Sequence, residues 1–466
     1  VIFKPYYLAC LSHASYLVAD EGTHAAVVVD PQRDVAQYLE EAARLGVEIR
    51  HVVLTHLHAD FVAGHLELAE ATGARIHVGA AARAEYPHVP ARDGDRIELG
   101  SVRLTFLETP GHTPESVCVL VHDLAKDPVD PVAVLTGDTL FLGDVGRPDL
   151  MASVGMTAEE LASKLYDSLH DKLLRLPDAT VVWPAHGAGS LCGKSLSSEA
   201  SSPLGVQRKT NYALAPMSKA DFVRLVTADQ PEAPSYFAFD ADLNRRRRAT
   251  LGTALAHALA PLPIEAVLRL RDEGATLLDA RGGAQFASAH LAGSLNVGLG
   301  GKYATWAGTL VDRHRPIVIC ADPGREEEAA LRLGRIGFDH VAGTVADLHG
   351  VLTSHPELVA RTRRMSAIDL LRRQAQGTAP VVVDVRGAGE WAAGHVEGSV
   401  NLPLPRLRDT LDRIPRDCEV VVHCQTGYRS SLATSLLARE GFGNLSDLVG
   451  GWVAYEAARA PAFPEA

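Results

Sequence analysis

The sequence predicts a mixed α/β chain, with a layered, strand-rich first half followed by a parallel α/β unit written twice. Three observations predict it. Strand-like and helix-like segments alternate through residues 1–190, four strand-like runs there end in turns bearing histidine or aspartate, and a block of the second half recurs about 105 residues later. At 466 residues the chain has room for about three domains of ~100–200 residues each. Its 47% apolar and 22% charged content is that of globular domains, not of disorder.

Ala25-Ala26-Val27-Val28-Val29 is a continuous apolar run, the mark of a buried strand, and Asp30-Pro31 ends it in a turn. Val35 to Leu45 has helical spacing, while Val52–Leu54, Arg75–Val78 and Val102–Leu107 read as further strands. The run Thr55-His56-Leu57-His58-Ala59-Asp60-Phe61 sits between one of these strands and a helical pattern from Leu66. It puts two imidazoles and a carboxylate at a strand end, the donors that a borderline or moderately hard metal ion takes. Three later strand-like runs finish similarly: Leu104–Leu107 runs into Gly111-His112, Val132–Leu135 into Gly137-Asp138, and Thr180–Trp183 into His186-Gly187. Any one of these alone is a turn. Strand-end loops of layered α/β proteins gather on one edge, so together they predict one metal site. Its candidate donors are His56, His58, Asp60, His112, Asp138 and His186, and spacing alone does not say which three bind.

This combination resembles the metallo-β-lactamase fold, an αββα sandwich, and the resemblance implies a first domain over residues 1–260. Hydrolases of that fold, such as glyoxalase II, carry His-x-His-x-Asp-His and hold two metals. Here the last position is Phe61. A phenyl ring has no lone pair, so the second metal loses a ligand and the bridging hydroxide of two-metal hydrolysis is hard to form. Two histidines, one carboxylate and open positions suit non-haem Fe(II) and O₂ chemistry. The branch the chain resembles is the persulfide dioxygenases. That resemblance implies one Fe(II) per chain held by His56, His112 and Asp138, with His58, Asp60 and His186 orienting ligands or holding water. It also places Arg147 near the thiol substrate, either pairing with a substrate carboxylate or bridging to Asp149. Cys192 stands where fusions of this type often carry a cysteine, and either handles sulfur near the iron or is a buried, inert thiol.

In the second half, Asp279-Ala280-Arg281 and Asp384-Val385-Arg386 lie 105 residues apart, and so do the segments beginning at His290 and His395. Each unit runs strand, helix, turn, strand, loop, helix. The pattern resembles the rhodanese sulfurtransferase fold twice over, at residues 261–361 and 362–466. In the second copy Cys424-Gln425-Thr426-Gly427-Tyr428-Arg429-Ser430 follows a buried strand and opens a helix. Backbone N–H groups, the helix dipole and the Arg429 cation favour the Cys424 thiolate there, the nucleophile that takes a sulfane sulfur. The first copy has Cys320-Ala321-Asp322-Pro323-Gly324-Arg325 and then three glutamates. Pro323 removes a backbone donor, and the carboxylates disfavour thiolate, so this copy reads as degenerate.

A net charge of −12 argues against nucleic acid, and Arg245-Arg246-Arg247-Arg248 reads as a solvated or salt-bridged helix face. No run reaches the ~18 apolar residues of a membrane helix, no signal-peptide core opens the chain, and six cysteines are too sparse for a disulfide framework, so a reducing, cytoplasmic setting is expected. The expected activity is bifunctional. A low-molecular-weight thiol persulfide, such as that of glutathione, is oxidised with O₂ to sulfite and thiol, and Cys424 moves sulfane sulfur among persulfide, sulfite and thiosulfate. Fusions of this size often pair, so a homodimer is a candidate assembly, although the sequence does not fix the oligomeric state. Two rivals stand beside this: a zinc thioester hydrolase resembling glyoxalase II, and a persulfide carrier with a vestigial metal site.

Overall fold

The computed structural model describes residues 1–150, 155–194, 196–228, 230 and 232–459. It divides into two compact units, residues 1–253 with 334–337, and residues 254–333 with those from 338 on.

Twelve strands of the first unit form two sheets. The first sheet holds β1 (Ile2–Leu8), β2 (His13–Asp20), β3 (Ala25–Val29), β4 (Glu48–Leu54), β5 (Arg75–Gly79) and β6 (Val89–Ala91), in that order. The second holds β7 (Arg96–Glu98), β8 (Val102–Glu108), β9 (Val117–Asp123), β10 (Ala133–Gly137), β11 (Val181–Pro184) and β12 (Ser202–Pro203), also in sequence order.

The apolar run in β3 is buried on both faces because the sheet is covered on both. Val27 and Val29 join Val53, Leu104, Val119 and Leu135 in the core between the sheets. Ala26 and Val28 turn to the other side, against Tyr38 and Ala42 of the helix Ala36–Leu45 and Leu68 of the helix His65–Thr72. On the far side, Cys118, Leu120, Val134 and Val182 pack under the helices Ala158–Asp167 and Lys219–Thr227. Ser218 caps the last of these by accepting the Asp221 N–H. The result is an αββα sandwich. Each valine or leucine withdrawn from water in its core contributes about 1.5–3 kcal/mol, so the strands are held firmly up to their ends.

Strand direction gathers those ends. β8 and β10 both run antiparallel to β9, hence parallel to each other, and β11 is parallel to β10. The loops after β8, β10 and β11 therefore leave the sheet at the same edge, carrying His112, Asp138 and His186.

Of the four arginines, Arg245 and Arg246 make the expected salt bridges, with Glu85 and Asp242, while Arg248 differs from expectation. The helix Phe237–Arg245 stops at Arg245, and Arg248 is buried against Glu67 at 2.6 Å, with Arg33 on the same carboxylate at 3.1 Å. Glu67 lies on the buried face of its helix, where an uncompensated carboxylate is costly, and the chain brings two guanidinium groups to it.

The second unit carries two sheets of matching order. One is built from β13 (Pro261–Leu262), β14 (Thr276–Asp279), β16 (Leu295–Asn296), β17 (Ile317–Cys320) and β18 (Val341–Val345), with the short pair β15 (His290–Leu291) and β19 (Val359–Ala360) beside it. The other comprises β20 (Arg363–Met365), β21 (Val381–Asp384), β22 (Val400–Asn401), β23 (Val420–His423) and β24 (Leu445–Leu448). Their orders, β13-β18-β17-β14-β16 and β20-β24-β23-β21-β22, correspond position for position, and the pairings within both are parallel. The boundary expected at 260 lies between the helix Leu251–Ala258 and β13. The helix Tyr428–Arg439 of the second copy leans on the first: Ser435 Oγ accepts the Asn296 N–H at 3.0 Å, Ser431 donates to Asn296 Oδ1 at 2.6 Å, and the Tyr428 hydroxyl donates to Gly298 O at 2.8 Å.

Candidate metal centre and thiol loop

Beyond the ends of β4, β8, β10 and β11, the six candidate donors converge as two adjoining triplets. In His56, His112 and Asp138 the ligand atoms all lie within 4.8 Å of one another, and the same holds for His58, Asp60 and His186. His56 Nε2 and His112 Nε2 stand 3.8 and 3.5 Å from Asp138 Oδ2. His186 Nε2 links the triplets, 3.6 Å from both Asp60 Oδ2 and Asp138 Oδ1.

The far nitrogen of three rings is already used. His112 Nδ1 donates to Arg147 O at 2.8 Å and His186 Nδ1 to Ser12 O at 3.1 Å. His56 Nδ1 meets Thr55 Oγ1 at 3.0 Å, and that hydroxyl's own hydrogen goes to Asp30 Oδ2 at 2.7 Å. Each bond puts the hydrogen on Nδ1 and leaves the Nε2 lone pair facing Asp138, the arrangement that orients a metal-binding imidazole. Two glycines make room. A Cβ on Gly137, whose φ of +52° already disfavours a side chain, would strike Thr55, and one on Gly146 would strike the Asp138 carbonyl.

A metal fits these residues. Both Asp138 oxygens, Asp60 Oδ1 and His186 Nε2 are buried without a hydrogen-bond partner among the described residues. Burial holds His112 and His186 down at about 4 and His56 well below its usual value, so the rings are neutral with a free lone pair. Burial raises Asp60 to about 6, while burial and then the Asp60 charge push Asp138 well above the usual carboxylate range. Such a donor set suits a cation, which would accept the free lone pairs and offset the buried carboxylates.

His58 faces elsewhere as well: its Nε2 lies 3.0 Å from Asp30 Oδ1. Cys192 is buried, and its Sγ forms a third close set with Asp138 and His186. Burial, then Asp60 and Asp138, push that thiol well up, so without a cation it stays protonated. Arg147 takes the second of the two roles that the sequence left open. Its guanidinium grips Asp149 through Nε (2.7 Å) and Nη2 (2.8 Å), donates to Leu191 O, and is 1% exposed. The Nε–Nη2 edge of the fork is thus taken by Asp149, and the Arg147 carbonyl serves the site by accepting the His112 Nδ1 hydrogen.

Three contributors escape sequence reasoning. Asn244 donates through Nδ2 to His58 O and Phe61 O, both at 2.8 Å, and accepts the Ala63 N–H at 2.8 Å. Glu115 Oε1 accepts the Leu57 N–H at 3.0 Å. His13 sits between the rings of His58 and His186, 5.5 Å from each, and donates to Asp30 O. None carries a motif. The Gly-x-x-x-Glu spacing from Gly111 to Glu115 is the only local sign.

In the second unit Cys424 follows β23 and is 1% exposed. The Gly427 N–H donates to its Sγ at 3.2 Å, at the start of the helix Tyr428–Arg439. Arg429 makes a two-point pair with Glu390 at 2.6 and 2.7 Å and also faces the Cys424 thiol. A Cβ on Gly451 would strike the Cys424 carbonyl, so the segment Gly450-Gly451 backs the loop closely. In the first copy burial first, and the Asp279 carboxylate second, push the Cys320 thiol far up. That is the direction expected, although Asp279 rather than the helix glutamates is the leading charge.

Fold and site define a metal-site αββα protein joined to a thiol-bearing parallel α/β domain. The metallo-beta-lactamase superfamily model matches residues 8–186 and the rhodanese-like domain model matches residues 366–458. The chain belongs to the metallo-beta-lactamase superfamily, as a fusion carrying a rhodanese-like domain towards its C-terminal end. It is 30% identical to the persulfide dioxygenase ETHE1, mitochondrial, of Bos taurus, over 40% of this chain and 68% of that protein. It is 33% identical to a hydroxyacylglutathione hydrolase of Polaromonas sp., over 37% of this chain and 61% of the relative. A solved metallo-beta-lactamase from Staphylococcus aureus is 30% identical and superposes with a TM-score of 0.65, covering 74% of this chain and 98% of the other. Among the described residues no helix is long and apolar enough to cross a membrane.

Proposed function

We propose that the first unit oxidises the outer sulfur of a low-molecular-weight thiol persulfide with O₂ at one Fe(II), and that Cys424 transfers sulfane sulfur in the same chain. The observation that carries this is the donor set His56, His112 and Asp138, with each imidazole fixed to present Nε2 and Phe61 standing where a further imidazole would serve a second ion. Iron bound there supplies the one-electron steps that let O₂ react with a persulfide sulfur. The chain's own residues do the rest. The Arg147 and Ser12 carbonyls and Thr55 Oγ1 hold the imidazoles in register, and burial keeps bulk water from the sulfur. Similarity to persulfide dioxygenase ETHE1 and the matched rhodanese-like domain support sulfur chemistry for both halves.

Cys424 takes the second step. A thiolate at Sγ, held by the Gly427 N–H, attacks the outer sulfur of thiosulfate or a persulfide. A Cys–S–S⁻ forms, and sulfite or thiolate leaves with the electron pair.

The test combines metal analysis with an oxygen electrode. We expect about one iron per chain and O₂ uptake with glutathione persulfide, lost in His112→Ala. A second reading, a zinc thioester hydrolase, is favoured by the intact triplet His58, Asp60 and His186 and by similarity to hydroxyacylglutathione hydrolases. About two zinc ions per chain with thioester turnover and no O₂ uptake would establish that reading instead.

A further inference from the structure

Behind Cys424 runs a short chain of polar atoms that sulfur transfer, as described, leaves unused. Cys424 Sγ lies 3.7 Å from Ser430 Oγ, within reach of an S–H···O bond, and the Ser430 hydroxyl donates to Asp447 Oδ1 at 2.5 Å. All three residues are at most 3% exposed. Asp447 lies in β24, one strand from β23 and the thiol, and its Oδ2 lies 3.6 Å from Arg364 on β20, a side chain one-third exposed. A nucleophilic thiol this deeply buried needs somewhere to put its proton.

We propose that Ser430 and Asp447 form a proton relay for Cys424. The thiol hydrogen passes from Sγ to Ser430 Oγ as the Ser430 hydroxyl hydrogen passes to Asp447 Oδ1. That leaves a thiolate, a neutral hydroxyl and a neutral carboxyl, with no net charge moved in or out. The proton returns by the same route once the sulfane sulfur has left Sγ. This rests on reading Cys424 as the nucleophile. Burial, which outweighs the Ser430 hydrogen bond and the Arg364 charge, raises Asp447 to about 6, so it can hold a proton near neutrality. The other charged or titratable groups around the chain are Arg429, which pairs with Glu390 and also faces the Cys424 thiol, where its cation favours the thiolate, and Arg386, paired with Asp384, beside which His423 Nε2 lies at 3.5 Å.

The relay has a signature that a merely structural role lacks. Above pH about 6 Asp447 is ionised and can take the Cys424 proton, through Ser430, as the sulfur attacks. Peptide-resolved alkylation of Cys424 by iodoacetamide in the full-length protein should therefore rise with pH to a plateau reached at about pH 6, as Asp447 ionises. Asp447→Asn and Ser430→Ala should abolish the plateau and slow alkylation at pH 7 about a hundredfold, while Ser430→Thr should restore it. A plateau that persists in Asp447→Asn, or its absence from the unmodified protein, overturns the relay; the latter measurement needs no variant to fold. Thiosulfate-dependent sulfur transfer that survives Cys424→Ser would instead overturn the nucleophile reading, and the two failures are told apart because alkylation needs no turnover.

Discussion

Phe61 packs against His13 with ring centroids 4.1 Å apart and the rings tilted by 41°, so the side chain that follows Asp60 leans on an imidazole instead of offering one. Its ring also lies 4.4 Å from that of His58. Carbon thus fills the corner next to the triplet His58, Asp60 and His186.

Phe61→Arg would only add bulk and charge, whereas Phe61→His should add a donor at that corner. We expect metal content to rise from about one to about two ions per chain, read by mass spectrometry of the purified protein. O₂ uptake should fall as thioester hydrolysis gains. Unchanged stoichiometry would mean that the phenyl ring is not what limits the second triplet.

Asn244 ties three backbone groups of the His58–Ala63 loop. Asn244→Ala leaves them buried without partners, at about 1–3 kcal/mol each in the limit where none relaxes. Urea unfolding followed by tryptophan fluorescence should show the loss. Metal affinity should fall about 10–100-fold, as it does when groups supporting metal ligands are removed.

Glu67 gives a pH-dependent prediction. Burial alone would raise its carboxyl, but Arg248 and Arg33 outweigh it and hold the group below its usual 4.5. A carboxylate lowered in the folded state stabilises it above the unfolded value, and that contribution is lost as pH falls through and below 4.5. Glu67→Gln should cost about 3–5 kcal/mol at pH 7, because two guanidinium groups lose their counter-charge. The gap between wild type and variant should narrow as the medium is acidified below that value, as thermal melts across a pH series would show.

The two loop cysteines should separate cleanly. Cys424→Ser should abolish sulfur transfer from thiosulfate to a thiol acceptor, and Cys320→Ser should leave it within about twofold, given how strongly reactivity follows thiolate content. Sulfite release is the measurement.

Local signals carried the parts of this molecule that are local. The apolar run Ala25–Val29 announced a strand covered on both faces, and the His or Asp after each of four strands announced a shared edge, since strand direction brings such ends together. The 105-residue echo announced two sheets of one order. What stayed hidden depends on partners far along the chain. Asn244 reaches back to the loop at Phe61, and Arg248, which reads as part of a polar face, crosses to Glu67. Arg147 and Arg429 were visible as cations, but whether a guanidinium is free depends on carboxylates, Asp149 and Glu390, whose reach no spacing reveals.

The hydrogen bonds from Tyr428 and Ser431 to Gly298 and Asn296 give the first copy a structural task of its own. Whatever chemistry the first copy retains, it supplies the wall against which the helix Tyr428–Arg439 of the second is braced. Mutational drift in residues 261–361 is then expected to spare the brace at Asn296 and Gly298 long after it has erased the cysteine loop.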